Sequence, residues 1–320
     1  MGPGVPGPRP GRREGRRQVI VFCGYANLDV VGRVPHFPRP DERVHASAVE
    51  HLPGGMAANA AVAAARAGAR VAFAGALGGD PLSDRFLAEL VAEGVDTAWS
   101  DRSAFLSTAI VLVDAAGRRS VISEDDGLGG AHVTVAADRL AAAGGGLLYL
   151  DGYRAAAAAA AVRPGVAVAV DLDGCDDPAD ALRAVRAATH VVVGRHRLES
   201  FGVPRDGWSA LAAASGTVLA VTDGASGWTL CTPDGAVVTG AALPVDVVDD
   251  TGAGDCFTGT FLAGIDDGLL TAEAARRAGV AASLSCTVPG ARGAPTPDLV
   301  GVALRRLPPD LPQPLLEDPT

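Results

Sequence analysis

The second half of this sequence alternates short apolar runs with stretches of helical character, and this alternation limits the folds available to the chain. The apolar runs lie at residues 147–150, 166–170, 191–193 and 217–221. Strands separated by helices are typical of parallel βαβ units, because parallel neighbours need a long crossover connection. The sequence therefore predicts an α/β fold around a mostly parallel sheet.

Two polar residues follow the first apolar run, which spans residues 18–24. Asn27 and Asp29 come shortly after this predicted strand. In open α/β sheets, ligands bind beyond the C-terminal ends of the strands. We therefore expect Asn27 and Asp29 at a ligand site, although turn formation alone would also account for an Asn and an Asp here.

Residues 245–264 combine a short apolar run, a glycine-rich turn and an amphipathic helix. The turn region contains, in order, Asp249, Asp250, Thr251, Gly252, Ala253, Gly254 and Asp255. The first N–H groups of a helix lack internal partners, and small residues let a phosphate approach them. We therefore predict an anion hole at residues 252–254, with the Asp255 carboxylate beside it to accept a proton from an attacking hydroxyl. A helix-start aspartate after a turn would also have a purely structural explanation.

A second glycine-rich segment precedes an Ala-rich helix. Gly54 and Gly55 allow close approach of a ligand, since glycine has no side chain and adopts unusual backbone angles. Asn59 lies in the first turns of the helix and is expected to face the same opening. Asparagine is also common at helix starts for structural reasons.

The chain contains no lysine, since all 27 basic residues are arginine. This absence excludes the P-loop and protein-kinase mechanisms, which use a lysine on the phosphates, and it excludes Schiff-base chemistry. A phosphotransferase of this composition must hold phosphate with backbone N–H groups, arginine and metal ions.

Charge and composition exclude several classes of partner. The net charge of −10 disfavours nucleic acids and anionic membranes, and no apolar run approaches the ~18 residues of a membrane span. The five cysteines and six histidines show no metal-ligand spacing, which favours reduced thiols and a cytoplasmic location. A dinucleotide-binding dehydrogenase is disfavoured because the Gly252-x-Gly254-x-x-Phe257 run lacks the last glycine and comes late in the chain.

These motifs closely resemble the signatures of the ribokinase-like (PfkB) carbohydrate kinases. Asp-Thr-Gly-Ala-Gly-Asp at 250–255 resembles the C-terminal signature, and Gly-Gly-x-x-x-Asn-x-Ala at 54–61 resembles the other. The Thr-x-Gly-x-x-Gly run at 222–227 is similar to a family segment that touches the transferred phosphates. The resemblance covers roughly residues 19–306 and is nearest to sulfofructose kinase and ketohexokinase.

The resemblance implies a ribokinase-like three-layer α/β/α sandwich with a mostly parallel central sheet and a small β-sheet lid. We expect a disordered extension at 1–17, a kinase domain at 18–306 and a Pro-rich tail at 307–320. The lid strands are expected within about 30–53 and 98–124, and the lid is expected to form a homodimer contact.

The resemblance also implies ATP-dependent phosphorylation of a primary hydroxyl of a small sugar or sugar derivative, with Mg²⁺ and a potassium-like ion. In this reading Asp255 is the base, kept ionised by the helix dipole. The implied contacts are the anion hole at Gly252, Ala253 and Gly254; the sugar at Asn27, Asp29, Gly54, Gly55 and Asn59; the ATP phosphates at Thr222, Gly224 and Gly227; and the monovalent cation at Asp249 and Thr251.

One motif departs from the family pattern. Relatives carry Asn-x-x-Glu after the strand near residue 193, where it helps to place magnesium, but residues 194–199 read Gly-Arg-His-Arg-Leu-Glu. Asp173 or Glu199 could rebuild the metal site. Two alternatives stay open. The resemblance also includes nucleoside kinases of the adenosine type, which the 4% of aromatic residues mildly disfavours. The missing motif favours a catalytically weak sugar- or nucleotide-binding protein, which the intact Asp255 disfavours.

Overall fold

A computed structural model describes residues 18–306 of the chain, so the predicted extension and Pro-rich tail lie outside the described residues. The strands are β1 Val19–Cys23, β2 Asn27–Arg33, β3 Ala48–Gly54, β4 Arg70–Ala74, β5 Ser107–Val113, β6 Arg119–Ser123, β7 Gly146–Leu150, β8 Val166–Asp171, β9 His190–Gly194, β10 Val218–Thr222, β11 Trp228–Cys231 and β12 Val237–Gly240. The α-helices are α1 Met56–Arg66, α2 Pro81–Ala92, α3 Gly130–Ala142, α4 Pro178–Ala187, α5 Arg195–Ser200, α6 Trp208–Ser215, α7 Ala253–Asp266, α8 Thr271–Ser285 and α9 Pro297–Arg306. A 3₁₀ helix spans Gly152–Ala161.

Eight strands form the central sheet in the order β12-β11-β10-β9-β8-β7-β1-β4. The six strands from β10 to β4 pair in parallel, whereas β11 and β12 add an antiparallel edge. The Ala155–Ala161 run, for which the sequence predicts a helix, forms part of the 3₁₀ helix. Within residues 18–306, no helix is long and apolar enough to cross a membrane.

Successive residues of the central strands point into two different cores. In β1, Ile20 and Phe22 pack with α1, α7 and α8, whereas Val21 and Cys23 pack with α3, α4 and the 3₁₀ helix. This period-2 alternation buries both faces of the sheet. The predicted three-layer α/β/α architecture is therefore confirmed.

The four remaining strands form the lid sheet, in the order β3-β2-β5-β6. Its first strand begins at Asn27, which pairs with Gly54 at the end of β3. Asn27 and Asp29 thus follow β1, as the sequence predicts, and they belong to the lid strand β2, which excludes the alternative that they only form a turn. They alternate with apolar residues, so both carboxamide and carboxylate point to the same face of the lid.

Helices α1 and α7 approach each other closely at small residues. A Cβ atom at Gly259 of α7 would lie 2.8 Å from the Ala63 Cβ atom and would clash with the Ala60 carbonyl oxygen. No side chain larger than hydrogen therefore fits between the helices. This contact holds Asn59 at the start of α1 beside Asp255 at the start of α7.

Candidate active site

The sequence predicts that α7 starts at Asp255, but the helix starts two residues earlier. The helix begins at Ala253, and Gly252 precedes it with a φ of 74°, in the left-handed region. A Cβ atom at Gly252 would lie 2.8 Å from the Ala291 Cα atom. Glycine is therefore required here by backbone geometry and by packing, and Asp255 lies within the first turn.

Asp255 forms a hydrogen bond with Asn59. Its Oδ2 atom accepts a hydrogen bond of 2.9 Å from the Asn59 Nδ2 atom. Burial raises the pKa of Asp255 to about 7, the negative charges of Asp173 and Asp151 add to this rise, and the Asn59 hydrogen bond opposes it. We expected the helix dipole to keep this carboxylate ionised, but desolvation is the larger effect and brings its titration close to neutral pH.

A partly buried arginine, which the sequence motifs do not single out, contacts the other side of Asn59. The Arg292 Nε atom donates to the Asn59 Oδ1 atom at 3.3 Å. A sequence signal was present, since this arginine stands between two small residues in a lysine-free chain. Asn59 therefore links Asp255 to a segment 233 residues away in the sequence.

The predicted sugar-binding residues of the lid form one polar group. Asn27 Nδ2 donates to Asp29 Oδ1 at 2.6 Å, and burial raises the pKa of Asp29. A Cβ atom at Gly54 would lie 2.5 Å from Asn27 Oδ1 and 2.6 Å from Asp29 Oδ2. Gly55 has a φ of 97°, and its Cβ atom would meet the Ala26 Cα atom at 2.5 Å. Gly55 is thus required by its backbone geometry, and Gly54 leaves room for the side chains of Asn27 and Asp29. That both glycines admit a ligand stays a prediction.

The predicted ATP-binding residues line one cavity of about 620 Å³. Thr222, Gly224 and Gly227 lie on its wall together with Ala253 and Gly254 of the predicted anion hole. The structure thus brings the candidate phosphate contacts together beside α7. Trp228 and Phe257, which the sequence analysis did not assign, also line the cavity.

The predicted monovalent-cation residues lie in the loop before α7. Asp249 accepts 3.0 Å hydrogen bonds from the N–H groups of Thr251 and Gly290, and the Arg119 guanidinium lies 3.6 Å from its carboxylate. Burial opposes ionisation of Asp249, but these contacts outweigh it and lower its pKa. Within residues 18–306 no group of three or more His, Cys, Asp or Glu side chains could hold a metal ion. The cation site at Asp249 and Thr251 stays a prediction.

The two candidates for rebuilding the magnesium site lie in different surroundings. Asp173 accepts a 2.7 Å hydrogen bond from the Gly194 N–H, and its Oδ2 atom would lie 3.9 Å from a Cβ atom at Gly254. Glu199 instead forms an ion pair of 3.1 Å with Arg195 in α5. Asp173 therefore borders the anion hole, whereas Glu199 is already paired.

Comparisons with known proteins identify the family of the chain. The model of the pfkB family carbohydrate kinases matches residues 17–299. ATP-dependent ribose-1-phosphate kinase of Halopiger xanaduensis is 29% identical over 296 residues, which cover 89% of this chain and 97% of that protein. A local match to ribokinase of Haemophilus influenzae is 38% identical over 81 residues and covers 25% of this chain and 26% of that protein.

A solved structure shows the same fold. Arabidopsis thaliana ribokinase, complexed with ribose and ATP, is 24% identical and has a TM-score of 0.76, with 90% of this chain and 99% of that chain covered. The closer likeness to sulfofructose kinase and ketohexokinase stays a prediction. The chain belongs to the PfkB family of carbohydrate kinases, which are phosphotransferases with an alcohol acceptor.

Proposed function

We propose that this chain transfers the γ-phosphoryl group of ATP to a primary hydroxyl of a small sugar or sugar derivative. The observation that carries the proposal is the position of Asp255. Its carboxylate accepts a hydrogen bond from Asn59 on the predicted sugar side. Ala253 and Gly254, in the same turn, line the predicted ATP cavity.

Asp255 acts as the general base in this proposal. The acceptor O–H bond breaks as the new O–P bond forms, the proton passes to the Asp255 carboxylate, and ADP leaves with the electrons of the broken P–O bond. Because the transition state of phosphoryl transfer is loose, positioning and charge stabilisation contribute more than strong basicity. A pKa of about 7 suits a base that must accept a proton near neutral pH.

Backbone N–H groups of the Gly252–Gly254 turn stabilise the charge that develops on the phosphoryl oxygens. The Ala253 N–H donates to the Asp250 carbonyl at 3.2 Å, a long bond that a phosphate oxygen can replace. Donors that are already in place at a helix start need little reorganisation during the reaction. The remaining contacts of the ATP phosphates are Thr222, Gly224 and Gly227.

The acceptor lies on the lid side of Asp255. Asn27, Asp29 and Asn59 offer amide and carboxylate groups that bind hydroxyl groups in pairs, and Gly54 and Gly55 shape the backbone beneath them. A half-buried Asp29 suits a polyol, because hydroxyl donors stabilise its ionised form. These contacts select a small, hydroxyl-rich acceptor.

Asp173 fits the magnesium ion that the family implies. Burial raises the pKa of this carboxylate, whereas the hydrogen bond from the Gly194 N–H and the positive charge of Arg197 oppose the rise. Carboxylate oxygen is a hard ligand of the kind that Mg²⁺ prefers, and Asp173 borders Gly254. A bound Mg²⁺ would neutralise charge on the phosphate oxygens, with Asp173 replacing the missing Asn-x-x-Glu motif.

Three further features belong to the proposal. Asp249 and Thr251 bind a potassium-like ion, supported by the ionised state of Asp249. The protein is cytoplasmic, in agreement with five unpaired cysteines in the described part of the chain. It forms a homodimer through the outer face of the lid, which exposes Val49, Ile110 and Ile122.

The experiment that tests the function is a measurement of ADP release with ATP, Mg²⁺ and a panel of acceptors. The panel contains aldoses, ketoses, deoxy sugar acids and nucleosides, and the Asp255→Asn variant is the control. Turnover of a sugar that this variant loses supports the proposal. Turnover of nucleosides alone would make the chain a nucleoside kinase, and calorimetric binding of sugar and ATP without turnover would make it a binding protein.

A further inference from the structure

Arg292 is a partly buried cation in the loop between α8 and α9. Its guanidinium carbon lies 4.8 Å from the centroid of the Phe86 ring, and its Nη2 atom is buried with no hydrogen-bond partner among the described residues. Burial lowers its pKa to about 10. The charges of Glu89 and Glu93 oppose this lowering. A buried guanidinium nitrogen without a hydrogen-bond partner is nevertheless costly, so its presence needs an explanation beyond packing.

A second arginine fixes the backbone of this loop against α1. Arg66 pairs with both carboxylate oxygens of Glu93, at 2.8 and 2.7 Å. Its Nη1 atom donates to the carbonyl oxygens of Arg292 and Ala294, at 2.7 and 2.8 Å. Since Arg66 and Asn59 are seven residues apart, they share one face of α1. The Arg292 side chain therefore extends along this face and reaches Asn59.

The donors and acceptors of this chain of contacts determine the orientation of the Asn59 amide. A guanidinium group only donates hydrogen bonds, and an ionised carboxylate only accepts them. The amide oxygen must therefore face Arg292 and the amide nitrogen must face Asp255, as the distances of 3.3 and 2.9 Å show. In the opposite orientation the amide oxygen would face the Asp255 carboxylate, so two acceptors would meet. The amide nitrogen would face the Arg292 guanidinium, so two donors would meet.

We propose that Arg292 is a positioning residue for Asp255, which fixes the Asn59 amide so that this amide donates to the Asp255 carboxylate. The proposal rests on the role of Asp255 in the proposed function. In this arrangement the guanidinium touches neither reactant and acts only through Asn59.

The expected consequence of losing Arg292 follows from the groups that face Asp255. Asp173 from the end of β8 and Asp151 from the end of β7 both disfavour its ionised form, and Asn59 from α1 favours it. Without Arg292 the amide can rotate and present its oxygen to the carboxylate. The hydrogen bond that favours the ionised carboxylate is then lost, so Asp255 should titrate at higher pH.

The test compares Arg292→Met with Arg292→Gln. Methionine keeps the shape of the side chain and a favourable contact with Phe86, but it has no donor. Glutamine places its amide nitrogen at the same position along the side chain as the arginine Nε atom, so it keeps the donor and removes the charge. Arg139→Met is the matched control, because Arg139 also lies over an aromatic ring, that of Trp99 at 4.0 Å, and is placed outside the site.

The primary measurement is independent of turnover. The protein is labelled with ¹³C at aspartate carboxyl groups and titrated by NMR, and the Asp255 signal is assigned by its loss in Asp255→Asn. We expect the Asp255 midpoint to rise by at least about half a pH unit in Arg292→Met and to stay in place in Arg292→Gln and Arg139→Met. The acidic limb of the kcat profile should move with it by the same amount, and kcat at pH 7 should fall at least about 2-fold, the loss of ionised base that half a pH unit produces.

A double variant separates positioning from packing. If Arg292 acts through Asn59, Asn59→Ala with Arg292→Met should lose no more activity than Asn59→Ala alone. A lowered Tm with an unchanged Asp255 midpoint, or additive losses in the double variant, would overturn the proposal. If Arg292→Met does not fold, Arg292→Gln and Arg292→Glu replace it, because they differ in whether the atom at the Nε position can donate. A chain without kinase activity would refute the proposed function, whereas the NMR midpoint would still decide the role of Arg292.

Discussion

Asp255 experiences two opposing effects at the start of α7. Unpaired N–H groups and the helix dipole favour its ionised form, typically by less than about 1 kcal/mol at an exposed site. Burial favours the neutral form, and so do the carboxylates of Asp173 and Asp151. Desolvation is larger and raises the pKa to about 7, an effect of the folded environment that sequence position alone does not reveal.

Replacing Asp255 with asparagine should remove turnover while preserving the fold. We expect Asp255→Asn to lower kcat by about 10²–10⁴, the usual effect of losing a positioned general base, with a much smaller change in the KM of the sugar. Asp298→Asn is the matched control, since Asp298 also lies in the first turn of a helix, α9. An unchanged kcat in Asp255→Asn would remove the catalytic role of this residue.

The same substitution should change how stability depends on pH. The folded-state pKa of Asp255 is raised to about 7, above its ordinary value, so its contribution to stability is complete at low pH and is lost as pH rises through about 7. Asparagine does not ionise, so Asp255→Asn should raise Tm more at pH 8 than at pH 5. Thermal unfolding at both pH values, with Asp298→Asn alongside, measures this difference. Equal Tm shifts at the two pH values would show that the pKa of Asp255 is not raised in the folded protein.

Substitutions of Asp29 and Asn59, which both lie on the predicted sugar side, should have different effects on the kinetic constants. Asp29 contacts Asn27 within the lid, so Asp29→Ala should raise the KM of the sugar strongly and leave kcat and the KM of ATP nearly unchanged. Asn59 also bonds to Asp255, so Asn59→Ala should raise the KM of the sugar and lower kcat as well. Steady-state kinetics with both substrates tests this. A loss of ATP affinity in either variant would show that the predicted sugar and ATP sites have been assigned the wrong way round.

At the scale of the elements, the site depends on the packing of α1 against α7. Gly259→Ala would place a methyl group against the Ala60 carbonyl oxygen and within 2.8 Å of the Ala63 Cβ atom. We expect a loss of about 1–3 kcal/mol of unfolding free energy, the usual cost of overpacking, and a lower kcat because Asn59 and Asp255 move apart. Gly301→Ala in α9, which has room for the methyl group, should not lower Tm. Similar denaturant midpoints for both variants would contradict this account.

The sequence was sufficient to predict those parts of the site in which neighbouring residues act together. The 250–255 turn, the position of Asn59 and the layered α/β fold all depend on local spacing and hydrophobic period. The strand that carries Asn27 and Asp29 could not be predicted, because it is defined by pairing with β3, which no local pattern reveals. Arg292 could not be assigned because its contact with Asn59 spans 233 residues and exists only in the folded chain.

At the scale of the whole molecule, the two faces of the lid sheet differ in chemistry. One face carries Asp29 and Arg119 and turns toward the rest of the site, where Arg119 reaches the carboxylates of Asp249 and Asp250. On the other face Ile110 and Ile122 are direct partners in neighbouring strands. Contiguous exposed apolar residues on a sheet are typical of protein interfaces.

This outer face of the lid should hold two copies of the chain together. Ile122 is 69% exposed, and Ile122→Asp would place a charge at the centre of the proposed contact, where its desolvation is costly. We expect the wild-type protein to sediment as a dimer and Ile122→Asp as a monomer. Val135→Asp is the matched control, because Val135 is 62% exposed on α3 and away from the lid, so this variant should remain dimeric. A monomeric wild-type protein, or a dimer that survives Ile122→Asp, would show that the exposed lid residues serve another contact. Because Asp29 lies in β2 of the same sheet, we also expect the monomeric variant to show a higher KM for the sugar.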